Sequence, residues 1–247
     1  MKFPVLRGII KRRMLINFRV DASLMQRFLP APFRPKLYQG YAIAGICLIR
    51  LEEIRPRGLP ALLGVSSENA AHRIAVEWDE PAGRNREGVF IPRRDTDSRL
   101  NQLCGGRIFP GEQHPAEFRV RDDGSHVEFS MRSYDKTVSV RVHGFDSDNL
   151  PESSCFASLT DSSRFFECGS VGYSATCDAR RFDGMRLTTQ SWRVRALTVE
   201  QVESRFFADT SLFPVGSVEF DHALIMRDIA SEWHQTQDMF SETHPVD

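Results

Sequence analysis

The sequence predicts an α+β fold made mainly of antiparallel strands and folded as one domain. Apolar residues recur at every second position far more often than at helical spacing, an Asp-Gly turn sits between two alternating runs, and the helical stretches are few and short. With 247 residues, 41% of them hydrophobic, the chain is long enough to bury one large core.

Ile16, Phe18 and Val20 alternate with Leu15, Asn17 and Arg19 and mark the first strand. A longer apolar strand runs from about Tyr41 to Leu51. Ile74, Val76 and Trp78 alternate with Arg73, Ala75 and Glu77, the pattern of a strand with one face buried. Phe118 and Val120 then lead into Asp122-Asp123-Gly124-Ser125, and Val127, Phe129 and Met131 lead away. Gly tolerates the positive φ of a tight turn, so this is a hairpin. Val138, Val140 and Val142 add a third strand, and residues 116–145 read as an antiparallel meander.

Three helices are expected. Asp21 caps one that carries Leu24, Met25, Phe28 and Leu29 and stops at Pro30 and Pro32. Asp95, Thr96 or Asp97 caps a second, with Leu100 and Leu103 inward and Gly105-Gly106 as its stop. Thr198-x-x-Gln201 reads as a capping box opening a third, with Val199, Val202 and Phe206 at helical spacing. Pro56–Ser67 and Asp146–Ser154 read as surface loops. The tail, residues 233–247, has little apolar content and is expected to fray from a single domain spanning 1–247.

Composition excludes several functions. A net charge of -1 gives no global field for nucleic acid or anionic lipid. The N-terminus has only Ile9 and Ile10 adjacent as an apolar run, short of the roughly 7–15 of a secretory signal, and no stretch of the sequence approaches the ~20 of a membrane span. The five cysteines are odd in number and form no C-x-x-C pair, which points to reduced thiols in a cytoplasm. The seven histidines show neither H-E-x-x-H nor H-x-H spacing, so no metal is expected. No G-x-S-x-G elbow or glycine-rich phosphate loop is present, and no cofactor is implied. His72 shares a face with Ile74, Val76 and Trp78 and reads as a satisfied core-edge histidine.

Several short motifs, taken in order, carry a resemblance. They are Arg13-Met-Leu-Ile-Asn-Phe-Arg-Val-Asp21 followed by Leu24 to Pro32, then Arg55-Pro-Arg-Gly-Leu-Pro60, Asp95-Thr-Asp-Ser-Arg-Leu100, and Gly106-Arg107 followed by His114. Over residues 13–145 the chain resembles the acetoacetate decarboxylase-like superfamily, and within it the YqjF-like family. From there to about 225 only Trp192 and Phe220-Asp-His222 match. The resemblance implies a β-cone or incomplete barrel with a few short helices, whose interior holds a small-molecule site, and it implies a homo-oligomer.

In the namesake enzyme a lysine forms an imine with the substrate. The motif places that lysine at the end of Gly106-Arg-Ile-Phe-Pro-Gly-Glu-Gln-His114, where this chain has His114. An imidazole cannot form the protonated imine. The four lysines are Lys2, Lys11, Lys36 and Lys136, and the other 28 basic residues are arginines. Lys11 falls near an arginine of the family's site and would supply positive charge. Ser66-Ser-Glu68-Asn69 resembles the segment that carries the family's active-site glutamate.

The candidate catalytic residues are therefore His114 and Glu68, and the candidate ligand-binding residues Arg107 and Lys11. Each has a plainer alternative. His114 reads equally as a loop histidine before Pro115, and Glu68 as a carboxylate paired with arginine. Arg99 and Arg107 read as ion-pair partners of Asp95 or Asp97, with a carboxylate clamp as the other reading. Three functions stand in order: a small-molecule-binding protein or enzyme without the imine lysine; a non-catalytic structural or partner-binding module; and a decarboxylase that uses Lys11.

Overall fold

The structure, a computed structural model, describes residues 4–80, 83–104 and 109–241. Its strands, in chain order, are β1 (Leu6–Asp21), the short β2 (Arg34–Pro35) and β3 (Leu37–Tyr38), β4 (Tyr41–Pro56), β5 (Val65–Asp79), β6 (Asn85–Thr96), β7 (Gln113–Asp122), β8 (His126–Ser133), β9 (Ser139–Ser147), β10 (Val171–Ala175), β11 (Arg181–Thr189), β12 (Arg195–Ser204), β13 (Val218–Gln235) and β14 (Met239–Phe240). The helices are α1 (Ala22–Phe28), α2 (Arg99–Cys104) and α3 (Leu159–Glu167).

All the strands join one sheet, which returns on itself twice. The path β6-β7-β8-β9-β12-β13-β1-β4-β5 is closed by the pairing of β5 with β6. A second circuit leaves β6 through β10 and β11 and rejoins at β13. The pairings are antiparallel except β6 with β7 and β6 with β10. Strands β13, β1, β4, β5 and β6 belong to both circuits and form a shared wall.

That wall explains the burial pattern. Met14, Ile16, Ala44, Ile46, Ile74, Val76, Phe90 and Ile225 face a first compartment, together with Val127, Phe129, Met131, Val140 and Val142 of the meander. Leu15, Ile43, Cys47, Ala71, Ala75, Ile91, Leu224 and Met226 face a second, closed by Phe156, Phe165 and Phe166 from the α3 region. Alternation sends successive side chains to opposite faces, and here both faces are dry. β5 is therefore not the half-buried strand its alternation suggested: Arg73 and Ala75 on its second face are each 4% exposed.

The meander forms as expected, β7 to β8 to β9, with Gly124 at φ +94° in its first turn. Asp21 caps α1 by accepting from Leu24 N at 2.8 Å. The cap of α2 differs from expectation. Ser98 Oγ accepts from Asn101 N at 3.2 Å, because the three earlier candidates are engaged elsewhere. Asp95 pairs with Arg93, the Thr96 hydroxyl donates to Asn69, and Asp97 accepts from Glu68 N. Leu100 is 43% exposed rather than inward, while the Leu103 side chain and Gly105-Gly106 lie outside the described residues. The third expected helix is strand β12. Thr198 pairs with Phe145 and Val202 with Val142, and a bulge between Val199 and Gln201 breaks the alternation that would have shown a strand. The helix of that half of the chain is α3, capped by Ser158. Trp233 is buried in β13 and the tail stays paired through Phe240; residues 242–247 lie outside the described residues.

Candidate functional site

The second compartment is incompletely filled. It holds a chamber of about 130 Å³, walled by Cys47, Ile49 and Leu51 of β4, Ala71 of β5, Val89 and Ile91 of β6, Phe109, Met185 and Leu187 of β11, and Trp233. Into this apolar lining project Arg13 of β1, Arg73 of β5 and Arg94 of β6. None of the three makes an ion pair among the described residues. Arg13 Nε donates to Cys47 Sγ at 3.4 Å, and Arg94 Nε donates to Ser174 Oγ at 3.0 Å. Asp95 also lines the chamber, but its carboxylate is held by Arg93 at 2.9 Å. Burial pushes Arg73 and Arg94 down to about 10, so both remain charged at neutral pH.

Arg73 is positioned by a row of residues across the shared wall. Register aligns Arg73 with Gly45, Gly45 with Asn17, and Asn17 with His222. Arg73 Nη2 spans Gly45 to donate to Asn17 Oδ1. A Cβ at Gly45 would lie 2.2 Å from the Ile16 carbonyl oxygen, so only glycine fits the crossing. The Nδ2 of Asn17 donates to Leu15 O at 3.2 Å and to His222 Nε2 at 3.1 Å. Ser162 Oγ lies 2.7 Å from the same nitrogen, and His222 Nδ1 lies 2.5 Å from Asp221 Oδ2. These partners fix the imidazole with its proton on Nδ1. Burial lowers the His222 pKa, against the pull of Asp221. Burial alone would raise the Asp221 carboxyl, but hydrogen bonds from His222, Cys155 N and Ser154 hold it below the usual carboxylate range. Ser162, His222 and Asp221 have the hydrogen-bond order of a nucleophile array. They are at most 1% exposed and line none of the cavities described here, so they act as scaffold.

The residues singled out from the sequence lie apart from the chamber. Glu68 is 8% exposed, and its Oε2 accepts from Arg12 Nη2 at 2.7 Å. It ends a cross-strand row of Glu68, Arg50, Arg12 and Arg227. Arg12 stands 5.9 Å from the Phe129 ring centre, which puts this pair at the first compartment. Burial raises the Glu68 pKa, and Arg12 opposes the rise. His114 is half-buried on β7, two residues before Ala116, which belongs to the first compartment. Its neighbour Gln113 lines the chamber. Lys11 is exposed and pairs with Asp228 at 2.6 Å. Arg107 lies outside the described residues. Arg99 is exposed.

No described lysine lines the chamber. Lys36 lines a side pocket of about 20 Å³ with Arg13 and Arg73, and its Nζ is 2.5 Å from Glu87 and 4.3 Å from the Phe165 ring centre. Among the described residues no group of three or more His, Cys, Asp or Glu could hold a metal ion, and no helix is long and apolar enough to cross a membrane.

The family model of DUF2071, described as an uncharacterized conserved protein (COG2071), matches residues 10–223. The chain belongs to the DUF2071 family. No curated protein matches it. Among solved structures it is similar to the acetoacetate decarboxylase of Legionella pneumophila, at 13% identity and a TM-score of 0.59, over 96% of this chain and 88% of that one. An acetoacetate decarboxylase-like enzyme from Sphingomonas wittichii RW1 matches at 12% identity and TM-score 0.57, over 97% and 93% of the two chains. The enduracididine biosynthesis enzyme MppR complexed with pyruvate matches at 12% and 0.57, over 97% and 91%. This DUF2071 chain therefore has the acetoacetate decarboxylase-like fold the motifs implied, with mostly antiparallel strands and three short helices among the described residues.

Proposed function

We propose that the chain binds a small carboxylate-bearing molecule inside the second compartment, with Arg13, Arg73 and Arg94 holding its negative charge. The observation behind this reading is that buried Arg73 and half-buried Arg13 and Arg94 make no ion pair among the described residues around a largely apolar chamber. An unpaired buried charge is costly, and a bound anion offsets that cost. A chamber of about 130 Å³ suits a compact ligand, on the order of four water-sized groups. A small 2-oxo acid is the class with most support, since one solved neighbour holds pyruvate. Among the described residues no lysine lines the chamber: Lys11 is exposed, and Lys36 is tied to Glu87. Decarboxylation through a lysine imine is accordingly disfavoured.

A partner-binding module is the second reading. It draws on one exposed loop, where Leu59, Leu62, Leu63 and Val65 are 46%, 94%, 62% and 40% exposed.

Titration calorimetry with pyruvate tests the first reading. Arg73→Gln and Arg94→Gln should each weaken binding roughly tenfold to a hundredfold, the range for a lost charge-assisted hydrogen bond. Wild-type affinity in the double variant would sink the proposal. Borohydride treatment with acetoacetate should leave Lys11 and Lys36 without an adduct by mass analysis.

A further inference from the structure

The arginine chamber borders a vestibule of about 590 Å³, with which it shares Gln113, Met185 and Trp233. The charges of this outer space oppose those of the inner one. Among the described residues the vestibule carries Glu112, Asp178, Asp183 and Asp238 against Arg181 alone. Arg181 bridges two of them, with Nη2 3.0 Å from both Asp183 and Asp238. Glu112 is exposed and makes no ion pair among the described residues. Asp178 is exposed too, 4.0 Å from Arg180 Nε. The neck between the two zones is lined by the thioether of Met185, the indole of Trp233 and the amide of Gln113. Arg73 supplies an independent sign of a ligand at the inner end: it is 4% exposed, and its Nε has no hydrogen-bond partner among the described residues.

We propose that the ligand is bipolar, with a carboxylate seated among the chamber arginines, a short apolar link through the neck, and a cationic group in the acidic vestibule. This rests on the carboxylate reading above and narrows it to ω-amino or similarly cationic acids. Electrostatic complementarity favours such a molecule over a plain acid and disfavours a diacid, whose second carboxylate would meet Glu112 and Asp178.

The test compares pentanoate, 5-aminopentanoate and glutarate by titration calorimetry at low salt, on the full chain. 5-Aminopentanoate should bind roughly twofold to fivefold tighter than pentanoate, the reach of exposed charge pairs. Glutarate should bind weakest. The variant Glu112→Gln with Asp178→Asn, changed only at exposed side chains, should bring 5-aminopentanoate to the level of pentanoate measured on the same variant. Equal binding of the two acids by the wild type, or a margin that survives the double variant, overturns the bipolar ligand while leaving the carboxylate site standing. No binding of any of the three acids overturns both.

Discussion

On one side of the shared wall Phe18, Phe129, Phe207 and Ile225 pack into a continuous core, with Phe18 and Phe207 stacked at 4.3 Å. On the other, Phe156, Phe165, Phe166 and Trp233 cover only part of the space and leave a chamber. The charges divide the same way. Arg12, at the first compartment, is neutralised by Glu68, whereas Arg13, Arg73 and Arg94, at the second, make no ion pair among the described residues. One sheet thus carries a packed face and a face whose arginines make no ion pair among the described residues.

The sharpest way to break this comparison is to remove one arginine from each side. Arg12→Met leaves Glu68 buried and unpaired and should cost about 3–5 kcal/mol in urea unfolding. Arg94→Met removes a charge that makes no ion pair among the described residues, and the ligand-free variant should change by about 1 kcal/mol or less, in either direction. Equal losses would show that both arginines are structural. A smaller contrast comes from packing. Phe129→Ala should cost about 3–5 kcal/mol, while Ile91→Ala, at the chamber wall, should fall near 2 kcal/mol, the low end for such truncations.

A pH-dependent contrast concerns His72, which is fully buried 4.6 Å from the Phe206 ring with neither ring nitrogen partnered among the described residues. Burial pushes its pKa down to about 3. The unfolded chain therefore takes up a proton near pH 6.5 that the folded chain refuses. The neutral ring's contribution is complete above that pH and is lost as pH falls toward 3, by up to about 1.4 kcal/mol per pH unit. His72→Phe should flatten the fall in stability between pH 6 and pH 4; an unchanged slope would show that His72 does not stay neutral in the fold.

The meander, α1 and the fold class were legible because each is a local pattern: alternation around Asp-Gly, and a cap followed by an apolar face. β12 was hidden because its bulge mimics helical spacing, and long-range pairing with β9 outweighs a local capping box. The expectation for His72 was half right. It lies in the core, as its face predicted, but it is unsatisfied. The arginines of the chamber were missed for a related reason. Arg13 and Arg73 occupy what alternation marks as the solvent side, and nothing local announces that β10, β11 and α3 return to cover that side. A signal was present nonetheless: the apolar stretch Tyr41–Leu51 has no polar face, which is the mark of a strand covered twice. The motif that led to His114 came within one residue of Gln113 at the chamber, and on a strand one residue is the opposite face.

The shared wall has a consequence for how this protein diversifies. A single inserted or deleted residue in the middle of β4 would exchange its side chains between the two compartments, carrying Ile46 to the chamber side and Cys47 into the packed core. Replacing Met185 or Leu187 of β11, which line the cavity from outside the partition, would reshape the chamber and leave that register intact.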